Sequence, residues 1–111
     1  MEKEKLVESF HKMWDAFPGM ARLINKNHEI LAANNIAVNR GFIPGAICAK
    51  VGKPESHKGC LMAKALKTRE GQFDCPNENL VRGWLPVKGC DDVVVHFSIQ
   101  KGAEECLMKQ K

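Results

Sequence analysis

The stretch Val93–Gln100 constrains this chain more than any other. Val93, Val95, Phe97 and Ile99 alternate with Val94, His96, Ser98 and Gln100. Successive side chains of a strand point to opposite faces, so this strand has one wholly apolar face that has to be covered. A second apolar surface lies at the other end of the chain. Leu6, Val7, Phe10, Met13, Trp14 and Phe17 recur at helical spacing, with Lys3, Lys5, Glu8, Lys12 and Asp15 opposite them. Pro18-Gly19 ends that helix. A face so wide needs a partner, either the body of the domain or a second copy of the chain.

Between these two features the punctuation is regular. Met20 to Ile24 reads as a strand, Asn25-Lys26-Asn27-His28 as a tight turn, and Glu29 to Ala33 as a second strand. Asn34-Asn35 can cap a short helix through Val38. Gly41 and Pro44-Gly45 break the chain before a short apolar piece, Ala46 to Val51. A helix is expected from about His57 to Arg69, with Gly71 as its stop. Gln72 to Cys75 reads as a short strand, Pro76-Asn77-Glu78 as a turn, and Leu80 to Val87 as a longer strand whose Pro86 belongs at an edge or bulge. The order gives an α+β fold, an antiparallel sheet of five strands flanked by helices. The expected organisation is an amphipathic helix over residues 1–18, one domain over 19–100, and a tail over 101–111.

Composition removes several function classes. A chain of 111 residues holds one domain. No apolar run approaches the roughly 20 residues of a membrane-spanning helix. The opening Met1-Glu2-Lys3-Glu4-Lys5 leads into an amphipathic stretch, so no secretory signal and a cytoplasmic location are expected. The net charge of +4 is scattered and no groove-reading motif accompanies it, so no nucleic-acid partner is expected. There is no phosphate loop, no His-Glu-x-x-His and no Gly-x-Ser-x-Gly, and the paired acids Asp91-Asp92 and Glu104-Glu105 fall in a turn and the tail. An enzyme is not expected. The five cysteines are an odd number, which suits free thiols or metal ligands better than a disulfide framework.

The order of elements resembles a PAS domain, the small sensory module of bacterial signalling proteins. The run Ala16-Phe17-Pro18-Gly19, the hairpin Met20 to Ala33 and Asn34 look like the family's opening, and Asn79 to Ile99 looks like its last two long strands. The resemblance covers about residues 5 to 100. It implies a curved sheet whose concave face, under short helices, forms a pocket for a small ligand or cofactor. It also implies a signal leaving through the N-terminal helix, the tail or a dimer contact toward a linked or separate output domain. The Leu6–Phe17 face is the expected homodimer surface. The flavin-binding Asn-Cys-Arg-Phe motif is missing, as is Cys-x-x-Cys-His, so flavin photochemistry and covalent haem are not implied. The third strand is shorter than the family's.

The segment from Cys48 to Cys60 is similar to a cysteine-rich subgroup of these domains, with His57 standing where the first Cys of a Cys-x-x-Cys pair would be. His57 and Cys60, three apart, can share a helix face. Cys48 and Cys75 could complete a Cys₃His set for zinc or an iron–sulfur cluster. The same residues also read as buried hydrophobes and a solvated helix start, and Cys60 near a helix start as a reactive thiolate. Trp84, His96, Phe97 and Arg40 are pocket candidates: an aromatic on the fourth strand, a histidine among valines for haem or another ligand, and a cation for a carboxylate. If the apolar set of the last strand faces the pocket, His96 faces away from it. Two further readings stay open: a metal or iron–sulfur redox sensor on the same fold, and a ligand-free dimerisation module whose pocket is filled by Phe73, Leu85 and Phe97.

Overall fold

A computed structural model describes residues 3–51 and 60–100. Helix α1 spans Lys3–Trp14, β1 Met20–Asn25, β2 Ile30–Ala33 and α2 Asn35–Asn39. A 3₁₀ turn at Cys48–Lys50 precedes α3 (Met62–Thr68), β3 (Gln72–Asn77), β4 (Leu80–Pro86) and β5 (Val93–Gln100). The strands form one antiparallel sheet in the order β2-β1-β5-β4-β3. The last strand thus enters the middle of the sheet and joins the β1–β2 hairpin to the β3–β4 hairpin. The two-faced sequence of Val93–Gln100 suits that place, because a central strand needs a covering layer on both sides.

Two cores divide the sheet. On the outer face, Ala21, Leu23, Val93 and Val95 pack with Leu6 and Phe10 of α1. On the inner face, Ile24, Trp84 and Val94 pack with Ala37, Phe42, Cys48, Met62 and Ala65 from α2, the connecting segment and α3. The apolar set of β5 therefore meets α1, and His96 points to the inner face. Phe97 closes the outer layer with Trp14 and Phe17, at ring-centroid distances of 6.1 and 5.6 Å. Its ring lies where a side chain at Gly83 would stand, so any Cβ there would collide with it. The α1 face is thereby largely used within the chain. Leu6 and Phe10 are buried, and full burial of a residue such as Phe10 stabilises by about 1.5–3 kcal/mol. Of the residues expected at a dimer surface, Met13 is the one that stands fully in solvent, at 70% exposure.

Local chemistry explains the connections. Asn25 accepts from the Asn27 and Glu29 amides at 2.9 and 3.0 Å, and His28 takes the positive φ, 65°, that closes the β1–β2 turn. Residues 45–48 then run beside β2: Ile30 donates to Ala46, Gly45 to Ile30, and Cys48 to His28. That pairing covers an otherwise open sheet edge and turns Cys48 inward. Helix α3 begins at Met62 and ends within a residue of the expected Arg69, but its left-handed cap is Arg69 itself rather than Gly71. Arg69 adopts a left-handed conformation, φ 59°, and its guanidinium donates to the carbonyls of Val87, Cys90 and Asp91. These bonds hold the β4–β5 turn and offset the strain of a non-glycine residue there. β3 runs on through Pro76 with a register shift after Asp74, so the turn is Glu78-Asn79 rather than Pro76–Glu78. Pro76 is tolerated because β3 is an edge strand.

Asn34 ties these parts together and is 1% exposed. Its Oδ1 accepts from the amides of Ala37, capping α2, and of Ala21 on β1, at 3.1 and 3.2 Å. Its Nδ2 donates to Gly19 at 2.9 Å, with longer contacts to the carbonyls of Phe17 and Trp14. Asn34→Ala is expected to lower unfolding free energy by about 2–4 kcal/mol, since it removes a cap and strands several buried backbone groups. Urea denaturation measures this, and a loss under about 0.5 kcal/mol, the range of unremarkable surface changes, would contradict the network.

Candidate functional site

The register of the central strands arranges the inner face as rows. Ile24, Val94 and Pro86 are partners in one row; Arg22, His96, Trp84 and Gln72 in the next; Met20, Ser98, Arg82 and Asp74 in the third. The first row is apolar, and the other two are rich in polar groups. Arg22, Arg82, His96 and Ser98 are nonetheless buried. A sheet face under helices is ordinarily filled with hydrocarbon, so four buried polar side chains in two adjacent rows mark this surface as a candidate site.

Arg82 has its counter-charge. Asp74, directly opposite on β3, receives Nε and Nη2 at 2.9 and 2.6 Å, and this two-pronged pair holds the Arg82 pKa above its ordinary value. The Arg82 guanidinium also lies 5.2 Å from the Trp84 ring centre. Trp84 stacks on His96 at 4.6 Å with the rings nearly parallel. His96 Nδ1 lies 2.9 Å from the Gly83 carbonyl. A carbonyl only accepts, so Nδ1 carries the proton.

Arg22 is different. It is 3% exposed, and no carboxylate meets it among the described residues. Its guanidinium sits 4.3 Å over the Phe42 ring, and Nη1 contacts Cys48 Sγ at 3.8 Å. Burial pushes the Arg22 pKa down, and the repulsion of Arg82 adds to that. Burial also pushes the Cys48 thiol up, with Arg22 acting against it. Arg22 thus faces a neutral sulfur.

The candidates drawn from the sequence are only partly brought together. Trp84 and His96 share the inner face, in one row. Phe97 stands on the outer face among α1 residues, and Arg40 is exposed at the end of α2. Cys48 is buried on the inner side, whereas Cys75 is exposed and follows Asp74 on an alternating strand, which turns it to the opposite face. His57 lies outside the described residues. Among the described residues, no three His, Cys, Asp or Glu side chains gather as a metal site. The residues proposed as pocket filling do not fill the inner face either: Phe73 is 73% exposed, and Leu85 and Phe97 belong to the outer layer.

Arg22 and Ser98 are absent from the sequence-based candidates. The signal for Arg22 was its phase: it shares a strand face with Met20 and Ile24, so it is a charge on an apolar face. Ser98 shares a phase with Val94 and His96.

No protein-family model matches the chain, and no curated protein does. Solved structures of similar fold include two sensory domains. A sensory box sensor histidine kinase from Vibrio cholerae superposes with a TM-score of 0.57 at 11% identity, over 90% of this chain and 92% of that one. The PAS domain of BvgS from Bordetella pertussis superposes with a TM-score of 0.54 at 16% identity, over 95% and 94%. The five-stranded sheet with its flanking helices is thus the fold of these domains.

The burial pattern predicts the thiol chemistry. Cys60 and Cys75 should alkylate rapidly with iodoacetamide in the native protein, and Cys48 slowly, as peptide mass spectrometry would show. The Cys48 proton is held more tightly folded than unfolded. This thiol therefore takes away no stability below the ordinary thiol pKa of about 8.5 and progressively lowers it above. Cys48→Val should reduce the fall in melting temperature between neutral and alkaline buffers. Equal alkylation rates at all three thiols would contradict the placement of Cys48.

Proposed function

We propose that this chain is a sensory or regulatory module: a small molecule binds against the inner face of the sheet, and occupancy is passed to α1 and onward to an output partner. The observation that carries this reading is the inner face itself, where buried polar side chains occupy the two rows that a purely structural sheet would fill with hydrocarbon. The likeness to two sensory-protein structures supports the same reading.

The route outward is short. Arg22 alternates with Ala21 and Leu23, and His96 and Ser98 with Val95 and Phe97. A ligand that shifts the inner-face side chains of β1 and β5 moves backbone that also carries the outer-face contacts of α1. Signalling further requires that the ligand bind one arrangement of α1 more tightly than another. The shared strands and the Asn34 contacts at the end of α1 supply the mechanical connection. In this reading Trp84 and His96 form the floor of the site, and α1 with its exposed Met13 is the element that meets a partner, a second copy or an output domain.

The test uses protein refolded after complete denaturation, so that any co-purified molecule is removed. Adding the low-molecular-weight fraction of a cell extract should raise its melting temperature and alter hydrogen exchange both on β1 and β5 and along Val7–Trp14. Unchanged melting with unchanged α1 exchange would sink the reading. Protection on the strands without any effect on α1 would leave a binding domain that does not signal through that helix.

A further inference from the structure

Among the described residues, three buried side-chain nitrogen or oxygen atoms have no hydrogen-bond partner: Arg22 Nε, Trp84 Nε1 and Ser98 Oγ. All three belong to the inner face, on the three adjacent strands β1, β4 and β5 and in two neighbouring rows. Two are obligate donors, and the third is a hydroxyl that can donate. Buried groups left without a partner are uncommon in folded proteins, and each one destabilises the fold. Three on one patch point to a partner that the described chain does not supply.

We infer that this patch binds a small carboxylate, received by Arg22 with Ser98 and Trp84 as neutral donors. The inference rests on the sensory reading above and names its ligand class. Charge selects a monoanion: Asp74 neutralises Arg82, and Cys48 faces Arg22 as a thiol, so among the described residues one positive charge has no carboxylate partner. Shape selects a carboxylate, because the planar guanidinium offers parallel N–H groups that match two carboxylate oxygens. The Phe42 ring beneath the guanidinium holds its plane. A doubly charged phosphate would bring more negative charge than this patch balances. Ile24, Val94 and Met62 supply apolar surroundings, which favour a short hydrocarbon or aromatic tail over a second charge.

The experiment pairs each carboxylate with its neutral amide: acetate with acetamide, propionate with propionamide, benzoate with benzamide, and sodium chloride as the ionic control. Melting temperature and the Trp84 indole N–H resonance are read, the latter distinguished from Trp14 by a Trp14→Phe variant. Carboxylates should raise the melting temperature and shift the Trp84 signal, and amides and chloride should not. Arg22→Met should weaken the carboxylate response by roughly tenfold or more. The same variant, without ligand, should melt no lower than the unsubstituted protein, because an uncompensated buried cation has been replaced by an apolar chain. Ser98→Ala gives a second variant with minimal change in shape, and it should weaken the carboxylate response several-fold. Amides binding as well as carboxylates would overturn the assignment of a carboxylate and leave the sensory reading standing. Chloride acting like the carboxylates would overturn it too. A drop in the melting temperature of ligand-free Arg22→Met would show that Arg22 is structurally partnered and would also overturn it. Failure of the sensory reading is visible separately, as an α1 that does not respond to the extract fraction.

Discussion

Asn34 is the joint on which the two layers depend. One carboxamide satisfies the first turn of α2, an amide of β1 and the carbonyl of Gly19, and reaches the end of α1. Few other side chains can do this, because the position needs an acceptor and a donor a short distance from one Cα. Gly19 completes the joint: any Cβ there would run into the Ser98 carbonyl. The end of α1, the start of β1 and the start of α2 are thereby fixed relative to β5, so inner-face and outer-face layers cannot shift independently.

Against that rigid frame the inner face is energetically costly. An arginine buried over a phenylalanine and beside a thiol meets, among the described residues, none of the carboxylates that normally compensate a buried charge. Replacing it with an apolar residue would suit the neighbouring core. Arg82 makes the contrast within the same sheet, since its bidentate pair with Asp74 is a self-sufficient structural unit.

Periodicity made much of the architecture legible. The alternation of Val93–Gln100, the helical spacing of Leu6–Phe17 and the capping Asn34 each specify local structure through short-range rules. Errors arose where long-range contacts override those rules. Arg69, not Gly71, is the left-handed cap of α3, because the β4–β5 turn supplies three carbonyls to its side chain. Pro76 stays in a strand because that strand lies at the edge.

The sequence by itself determined the element order, the two faces of the last strand and the capping of α2 by Asn34, since these follow from spacing along the chain and from groups within a few residues. Only the tertiary structure decided which face of β5 meets α1 and which meets the short helices. It also decided which residues become neighbours in rows across β1, β5, β4 and β3. That register sets Arg22 in one row with His96 and Trp84, and no local rule contains it, because it depends on pairing between segments more than 70 residues apart.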